Sequence, residues 1–339
     1  MKNKLPFFLA ICLIGINLFS DEIEVIPIVI IGSGPCGLSA AIYAARAKID
    51  HVVIIGHEEG GKLTKASYLE NWPGVQSILG GDLANDLKKQ AANLGTRFID
   101  DSVTDVDFQQ YPFDITLSSG THIRAKTVII ATGSTQNRLK CKGEDKYLGK
   151  GIAICAYCDA PLFEKKKVGV IGGNYAALRE IGIIKKYTKD ITVINREDSL
   201  SGPKMLKNYV TEDPEIKVLN GYDVLEILGD EIKVTKIKIQ NKKTRAIKTI
   251  PVDGVFISIG AKPNTKIFKG QLKMNEKKQI VVDGTKTSLK KVHAGGDVTD
   301  KSYHQAITAA AEGYACAMNA EKDLCETLEC KERKESFAI

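Results

Sequence analysis

Three scarcities narrow the reading of this 339-residue chain before any motif does. Histidine is sparse: the five residues, at positions 51, 57, 122, 293 and 304, never fall at HxxxH spacing, and no second CxxC completes a four-ligand zinc set. No metal is expected. Cysteine is too poorly paired for a disulfide-stapled scaffold. Eight are present, Cys12 lies in an N-terminal apolar stretch, and of Cys36, Cys141, Cys155, Cys158, Cys316, Cys325 and Cys330 only 155 and 158 are close. Aromatic residues are equally thin around the densest basic run, KVTKIKIQNKKTRAIK at 233–248. Without interleaved rings, and with a net charge of only +7, a nucleic-acid surface is not indicated. Lysine alternating with Val and Ile reads instead as a half-buried strand followed by a polar hairpin.

Beyond the N-terminus, no stretch is long and apolar enough to cross a membrane. Residues 1–20 place Lys2 and Lys4 before an uncharged run from Leu5 to Phe19 and end at Ser20. That layout is a signal peptide cleaved after Ser20, or an uncleaved membrane anchor. Either predicts an exported (periplasmic or equivalent) or membrane-associated protein. An apolar extension that simply stays attached, on a cytoplasmic protein, is the alternative. At the other end, the charged segment from Asp323 is expected to fray, with residues 326–339 as a tail. Cys325 and Cys330, five apart, do not share a helical face.

The length suggests two domains. VIPIVII (25–31) reads as a buried parallel strand and runs into GSGPCG (32–37) and an alanine-rich helix; HVVIIG (51–56) is the next strand. In such a strand–turn–helix unit Gly32 permits the tight turn. Gly34 lets a pyrophosphate approach the backbone, and Gly37 lets helix and strand pack closely. A second unit follows: KKVGVIGG (166–173), a helix over 174–187, and DITVIN (190–195). TVIIATGS (127–134), GVFISIGAKPN (254–264) and HAGGDVTD (293–300) are further apolar strands ending in Gly or Asp, the edge where ligands collect in doubly wound sheets. The fold class is therefore α/β with two Rossmann-like dinucleotide-binding domains.

Between these units lies ICAYCDA at 154–160. A structural disulfide and a redox pair both remain open for Cys155 and Cys158. Two intervening residues suit a small ring at a helix start, where the dipole favours thiolate, and Asp159 is placed to shuttle protons.

In this order the motifs resemble the low-molecular-weight thioredoxin reductases, from about residue 26 to about 323. The carriers are GSGPCG, GGKLTKASYLENWPG (60–74), ATG (131–133), CAYCD (155–159) and GGDVTDKSYHQAITAAAEG (295–313). The resemblance implies a discontinuous FAD-binding domain, 21–137 plus 265–325. An inserted NAD(P)-type domain at 138–264 would carry the redox pair. It implies FAD contacts from Gly32, Gly34, Gly37, Thr64, Asn71, Gly133 and Asp297, with Gln305 and Ala306 at a helix N-terminus facing the N1/O2 edge of the flavin. By the same resemblance Cys158 takes electrons from the flavin and Cys155 attacks the disulfide of a thioredoxin-like partner through a mixed disulfide. A homodimer is implied as well.

The chain departs from the family pattern at the electron donor. Gly172 and Arg196 remain as nicotinamide-nucleotide candidates, but Asn174 stands where the backbone should approach a pyrophosphate. Glu197 and Ser201 stand where arginines clamp a 2′-phosphate, and His304 replaces an arginine. NADPH and NADH are both left open. A donor other than NADPH (ferredoxin, a thiol protein or a membrane carrier) and a flavin-dependent dithiol oxidase are the alternatives.

Overall fold

The computed structural model describes residues 24–66 and 68–326. The apolar leader, Cys12, Cys330 and the tail beyond Glu326 lie outside the described residues. Among the described residues no helix is long and apolar enough to cross a membrane.

The first strand, Val25–Ile31, shows why a continuous apolar run is needed. It sits at the centre of a sheet with parallel neighbours on both sides, His51–Ile54 and His122–Ile130. Side chains alternate across a strand, so both alternate sets are buried. Ile28 and Ile30 face a layer built from Ala40, Ala41 and Ala44 of the helix Pro35–Arg46 and from Cys316, Ala317 and Ala320. Val29 and Ile31 face a second layer containing Phe108, Phe113 and Phe268. Arg97–Ile99 extends the sheet in parallel beside His51–Ile54, Phe113–Leu117 and Val103–Asp107 extend it antiparallel, and Val292–Ala294 pairs with the end of His122–Ile130.

A second sheet is wholly parallel, in the order Ile152–Ala153, Gly254–Ile257, Val168–Ile171, Ile191–Asn195, Ile216–Asn220. The helix Tyr175–Ile184 covers one face with Leu178, Ile181 and Ile184. A three-stranded antiparallel sheet, Tyr222–Gly229, Val234–Asn241 and Ile247–Pro251, covers the other with Ile227, Val234, Ile237 and Ile239. The lysine-rich run thus forms a half-buried strand and hairpin: Ile237 and Ile239 are inside and Lys236 is exposed.

The chain crosses between the two sheets at Ser134–Gln136 and returns at Ala261–Pro263. These segments pair antiparallel as a ribbon. Asn264 braces it: its N–H donates to Gly133 O, its Nδ2 to Thr132 O, and its Oδ1 accepts from the Thr135 hydroxyl.

The C-terminal helix Ala306–Glu326 packs along Pro35–Arg46. Small residues allow the close approach. A Cβ on Gly313 would lie 2.0 Å from Cys36 O. This helix also corrects one expectation. The chain does not fray at Asp323: residues 323–326 are helical, and Asp323 accepts from the buried His293 ring at 2.8 Å. Burial lowers the affinity of His293 for a proton, against the pull of Asp323.

Gly313→Ala is therefore expected to cost about 1–3 kcal/mol through overpacking and to lower Tm by several degrees. Gly81→Ala, with open space at its Cβ, should be within about 0.5 kcal/mol of neutral. Equal melting of both variants and the parent would contradict the close helix approach.

Candidate active site

A cavity of about 1050 Å³ opens along the carboxyl edge of the first sheet and reaches to the second. Gly32 and Gly34 form its inner turn. Gly32 has φ +110°, and a Cβ there would lie 2.4 Å from Ala131 O, so no other residue fits. A Cβ on Gly34 would instead enter open space on the cavity side. Gly34 is also the N-cap of Pro35–Arg46 and supplies no side chain to cap it, which leaves the first-turn N–H groups to a ligand. Gly37 sits behind the turn, where a Cβ would lie 1.9 Å from Gly32 O. Such a cradle fits a dinucleotide pyrophosphate, and the cavity's extent fits FAD.

At the other wall stand Gly133, Asn71, Asp297, Gln305 and Ala306. Asn71 Nδ2 donates to Gln305 Oε1 at 3.3 Å, and the helix beginning at Ala306 points its positive end inward. Burial pushes the Asp297 carboxyl up, but the adjacent Lys62 ammonium more than offsets this and holds it below the usual range. Ser134 donates to the same carboxylate at 3.2 Å. Thr64 departs from expectation. It is not among the wall residues, because its hydroxyl turns back to Gly61 O at 2.9 Å.

Cys155 and Cys158 are joined as a disulfide with Cα atoms 5.4 Å apart, and both wall this same cavity. Cys155 is the N-cap of the short helix Ala156–Asp159; its carbonyl accepts from the N–H groups of Cys158 and Asp159. Cys158 packs on Leu63, Leu69, Leu83 and Ala84 of the first lobe, alongside Trp72 and Ala306. Tyr157, between the cysteines, is 54 % exposed. Asp159 is buried at the cavity wall.

Three wall residues were not singled out from the sequence. Glu58 follows the second strand, 26 positions after Gly32, where dinucleotide sites place an acid for the ribose hydroxyls; that spacing was available as a signal. Lys62 lies inside the GGKLT stretch, but its pairing with Asp297, far along the chain, left no local trace. Glu180, on the helix Tyr175–Ile184, had no signal at all. It reaches this cavity and accepts from the Ser258 hydroxyl, and burial raises its carboxyl to about 7 against the opposing pull of Ser258 and Arg179.

A smaller cleft of about 360 Å³ lies at the glycine turn of the second lobe. Gly172 has φ +140° and a Cβ would lie 2.4 Å from Ser258 O, so this turn is as tight as the first. Its helix start differs. Asn174 Oδ1 accepts from Ala177 N–H at 3.1 Å, so the side chain caps its own helix. Arg196 walls the cleft and pairs through Nε with Asp223 at 3.1 Å. No group of histidine, cysteine and carboxylate side chains suited to a metal occurs among the described residues.

This geometry has counterparts. Residues 26–313 match the family model of pyridine nucleotide-disulphide oxidoreductases. The chain is 39% identical over 302 residues to the thioredoxin reductase of Rickettsia felis, covering 88% of this chain and 97% of that one. The thioredoxin reductase of Giardia duodenalis superposes with a TM-score of 0.85 at 32% identity, covering 89% and 99% of the two chains. That of Lactococcus lactis, in its FR conformation, reaches 0.61 at 28% identity over 88% and 99%.

Glu180 supplies a test of the cavity's electrostatics. A carboxyl raised from 4.5 to about 7 stabilises the folded state below pH 4.5, and that contribution is lost as pH climbs to about 7. Glu180→Gln, which cannot ionise, should gain on the parent over that interval by about 3 kcal/mol and then plateau. Melting curves from pH 4.5 to 8 check it; a difference independent of pH would show that Glu180 titrates normally.

Proposed function

Because this chain belongs to the pyridine nucleotide-disulphide oxidoreductases, among the low-molecular-weight thioredoxin reductases, we propose that Cys155, Cys158 and Asp159 are its catalytic residues and that the larger cavity holds its FAD. The chain is an oxidoreductase of the thioredoxin reductase type, using FAD and a pyridine nucleotide, with thioredoxin as the partner. The ferredoxin, thiol-protein, membrane-carrier and dithiol-oxidase alternatives are not favoured. FAD, when bound, supplies the two-electron carrier between nicotinamide and sulfur.

One observation carries the assignment: the cysteine pair walls the same cavity as the Gly32–Gly34 turn, with Cys158 packed against the first lobe. Gly32, Gly34 and Gly37 form the pyrophosphate cradle, with Gly133, Asn71, Asp297, Gln305 and Ala306 at the far wall; Thr64 acts only by supporting the Gly61 turn. Reduction of the pair breaks the Cys155–Cys158 bond and leaves two thiols. Cys155 thiolate attacks one sulfur of the partner disulfide, and the displaced sulfur leaves with a proton. Cys158 then attacks Cys155 in the mixed disulfide, releasing the partner as a dithiol and reforming the internal bond. Asp159, buried beside the pair, is the proton carrier.

Cys158 is packed against the first lobe, so a protein substrate requires the pair to leave the cavity. The lobes, 21–137 with 265–325 and 138–264, would reorient about the ribbon of Ser134–Gln136 and Ala261–Pro263. Two solved relatives of similar identity that superpose at 0.85 and 0.61 support such freedom. Gly172 and Arg196 belong to the nucleotide cleft. A second copy would cover the face carrying Tyr303, Ile307 and Tyr314, the last stacked edge-on against Tyr43 at 4.7 Å. We place the protein in the cytoplasm, where reduced pyridine nucleotides are held, with the leader retained; intact-mass loss of residues 1–20 would argue for export.

The reconstituted protein should be yellow, and its reduced form should reduce thioredoxin. Cys155→Ser and Cys158→Ser should each lose at least about 10³-fold in turnover while keeping the flavin spectrum. Undiminished thioredoxin reduction by either variant would refute the assignment. Sedimentation should report a dimer that Ile307→Asp weakens; a parent monomer at micromolar concentration would exclude it.

A further inference from the structure

We propose that the second-lobe cleft selects a nicotinamide dinucleotide without a 2′-phosphate, and that Asp223 and Glu197 are the residues that set this choice. The inference rests on the reading of the chain as a pyridine-nucleotide enzyme and deepens it.

The two strand–turn–helix units of this chain supply the argument. In the first, Glu58 follows the second strand 26 positions after Gly32; in the second, Glu197 follows the equivalent strand 25 positions after Gly172. Both acids wall their own cavity. FAD carries an unmodified ribose, and an acid at this position accepts from the free 2′-hydroxyl, whereas a 2′-phosphate calls for an arginine. The two units thus each place a glutamate just past the second strand, Glu58 four residues after Ile54, where it also pairs with Lys65, and Glu197 three after the equivalent Ile194. Glu197 is held in place by its backbone: its N–H donates to Asn195 Oδ1, and its carbonyl accepts from Asn195 Nδ2 and Gly221 N–H.

The cations of the cleft do not compensate. Arg196 is paired with Asp223, which comes from the strand Tyr222–Gly229 and also walls the cleft. Arg138, the other wall arginine, donates to buried Glu144 at 2.8 Å and also to Asp145. Lys242 donates to the Arg196 carbonyl, and Lys243 pairs with Asp198; neither is a wall residue. A 2′-phosphate entering here meets the Glu197 carboxylate, an Arg196 whose Nε is held by Asp223, and an Arg138 held by Glu144 and Asp145. A ribose hydroxyl meets two acceptors.

Asn174 acts on a different part of the ligand. Its side chain takes the Ala177 N–H that a pyrophosphate would use, an effect independent of the 2′-position. Asn174→Gly should therefore tighten both nucleotides alike, whereas Asp223→Asn should release Arg196 and favour only the phosphorylated one.

Anaerobic mixing of the FAD-loaded protein with NADH or NADPH, followed by flavin bleaching against nucleotide concentration, reads this directly. NADH should half-saturate at a concentration about tenfold or more below NADPH, the scale of one charge-assisted contact. Asp223→Asn should narrow that ratio by about tenfold through NADPH, and Glu197→Gln should weaken NADH. An NADPH preference in the parent, or a ratio unmoved in both variants, would overturn the proposal. Bleaching by neither nucleotide would overturn it too, and dithiothreitol then separates the two levels. Bleaching by dithiothreitol that is lost in Cys158→Ser preserves the flavin–disulfide reading, and no bleaching removes that as well.

Discussion

The structure hangs on an apolar contact between lobes: Cys158 of the inserted lobe seated on Leu63, Leu69, Leu83 and Ala84 of the first. It closes the larger cavity and brings a sulfur–sulfur bond to the place where the glycine turn, Asp297 and the helix at Ala306 converge. Everything else positions one side of this contact. The first sheet and its two alanine-rich helices hold the turn, and the second sheet with its three-stranded cover holds the pair. Among the described residues the two lobes are joined covalently by a two-stranded ribbon, Ser134–Gln136 paired with Ala261–Pro263.

The two glycine turns show how similar backbones acquire different uses. Gly32 and Gly172 both have positive φ and both would clash, if given a Cβ, with the carbonyl of the residue just past a neighbouring strand, Ala131 and Ser258. The helix after Gly34 starts without a side-chain cap, and that after Gly173 is capped by Asn174. A helix N-terminus leaves N–H groups unpaired inside its first turn, and either a ligand or a side chain must satisfy them. The same is true of charge. Lys62 neutralises Asp297 in the larger cavity, and Asp223 neutralises Arg196 in the smaller one.

The strand–turn–helix units, the close cysteine pair and the absence of metal-ligand spacing were legible in the sequence because each is local. Glycine's allowed φ, a buried strand's apolar run and a two-residue spacer are properties of a few consecutive positions. Thr64 stands outside the cavity wall, its hydroxyl donating to Gly61 O three residues back. Fraying from Asp323 failed because a buried histidine thirty positions earlier holds that helix end.

The sequence by itself therefore determined the α/β class, the two dinucleotide-type units and the close spacing of Cys155 and Cys158, since these follow from short-range backbone sterics and residue order. Only the tertiary structure decided which groups share a cavity. Glu180 beside the redox pair, Lys62 against Asp297, and Asp223 on Arg196 are each separated by many residues along the chain. Charge and burial act through space, and space is assigned by how the sheets and helices close on one another.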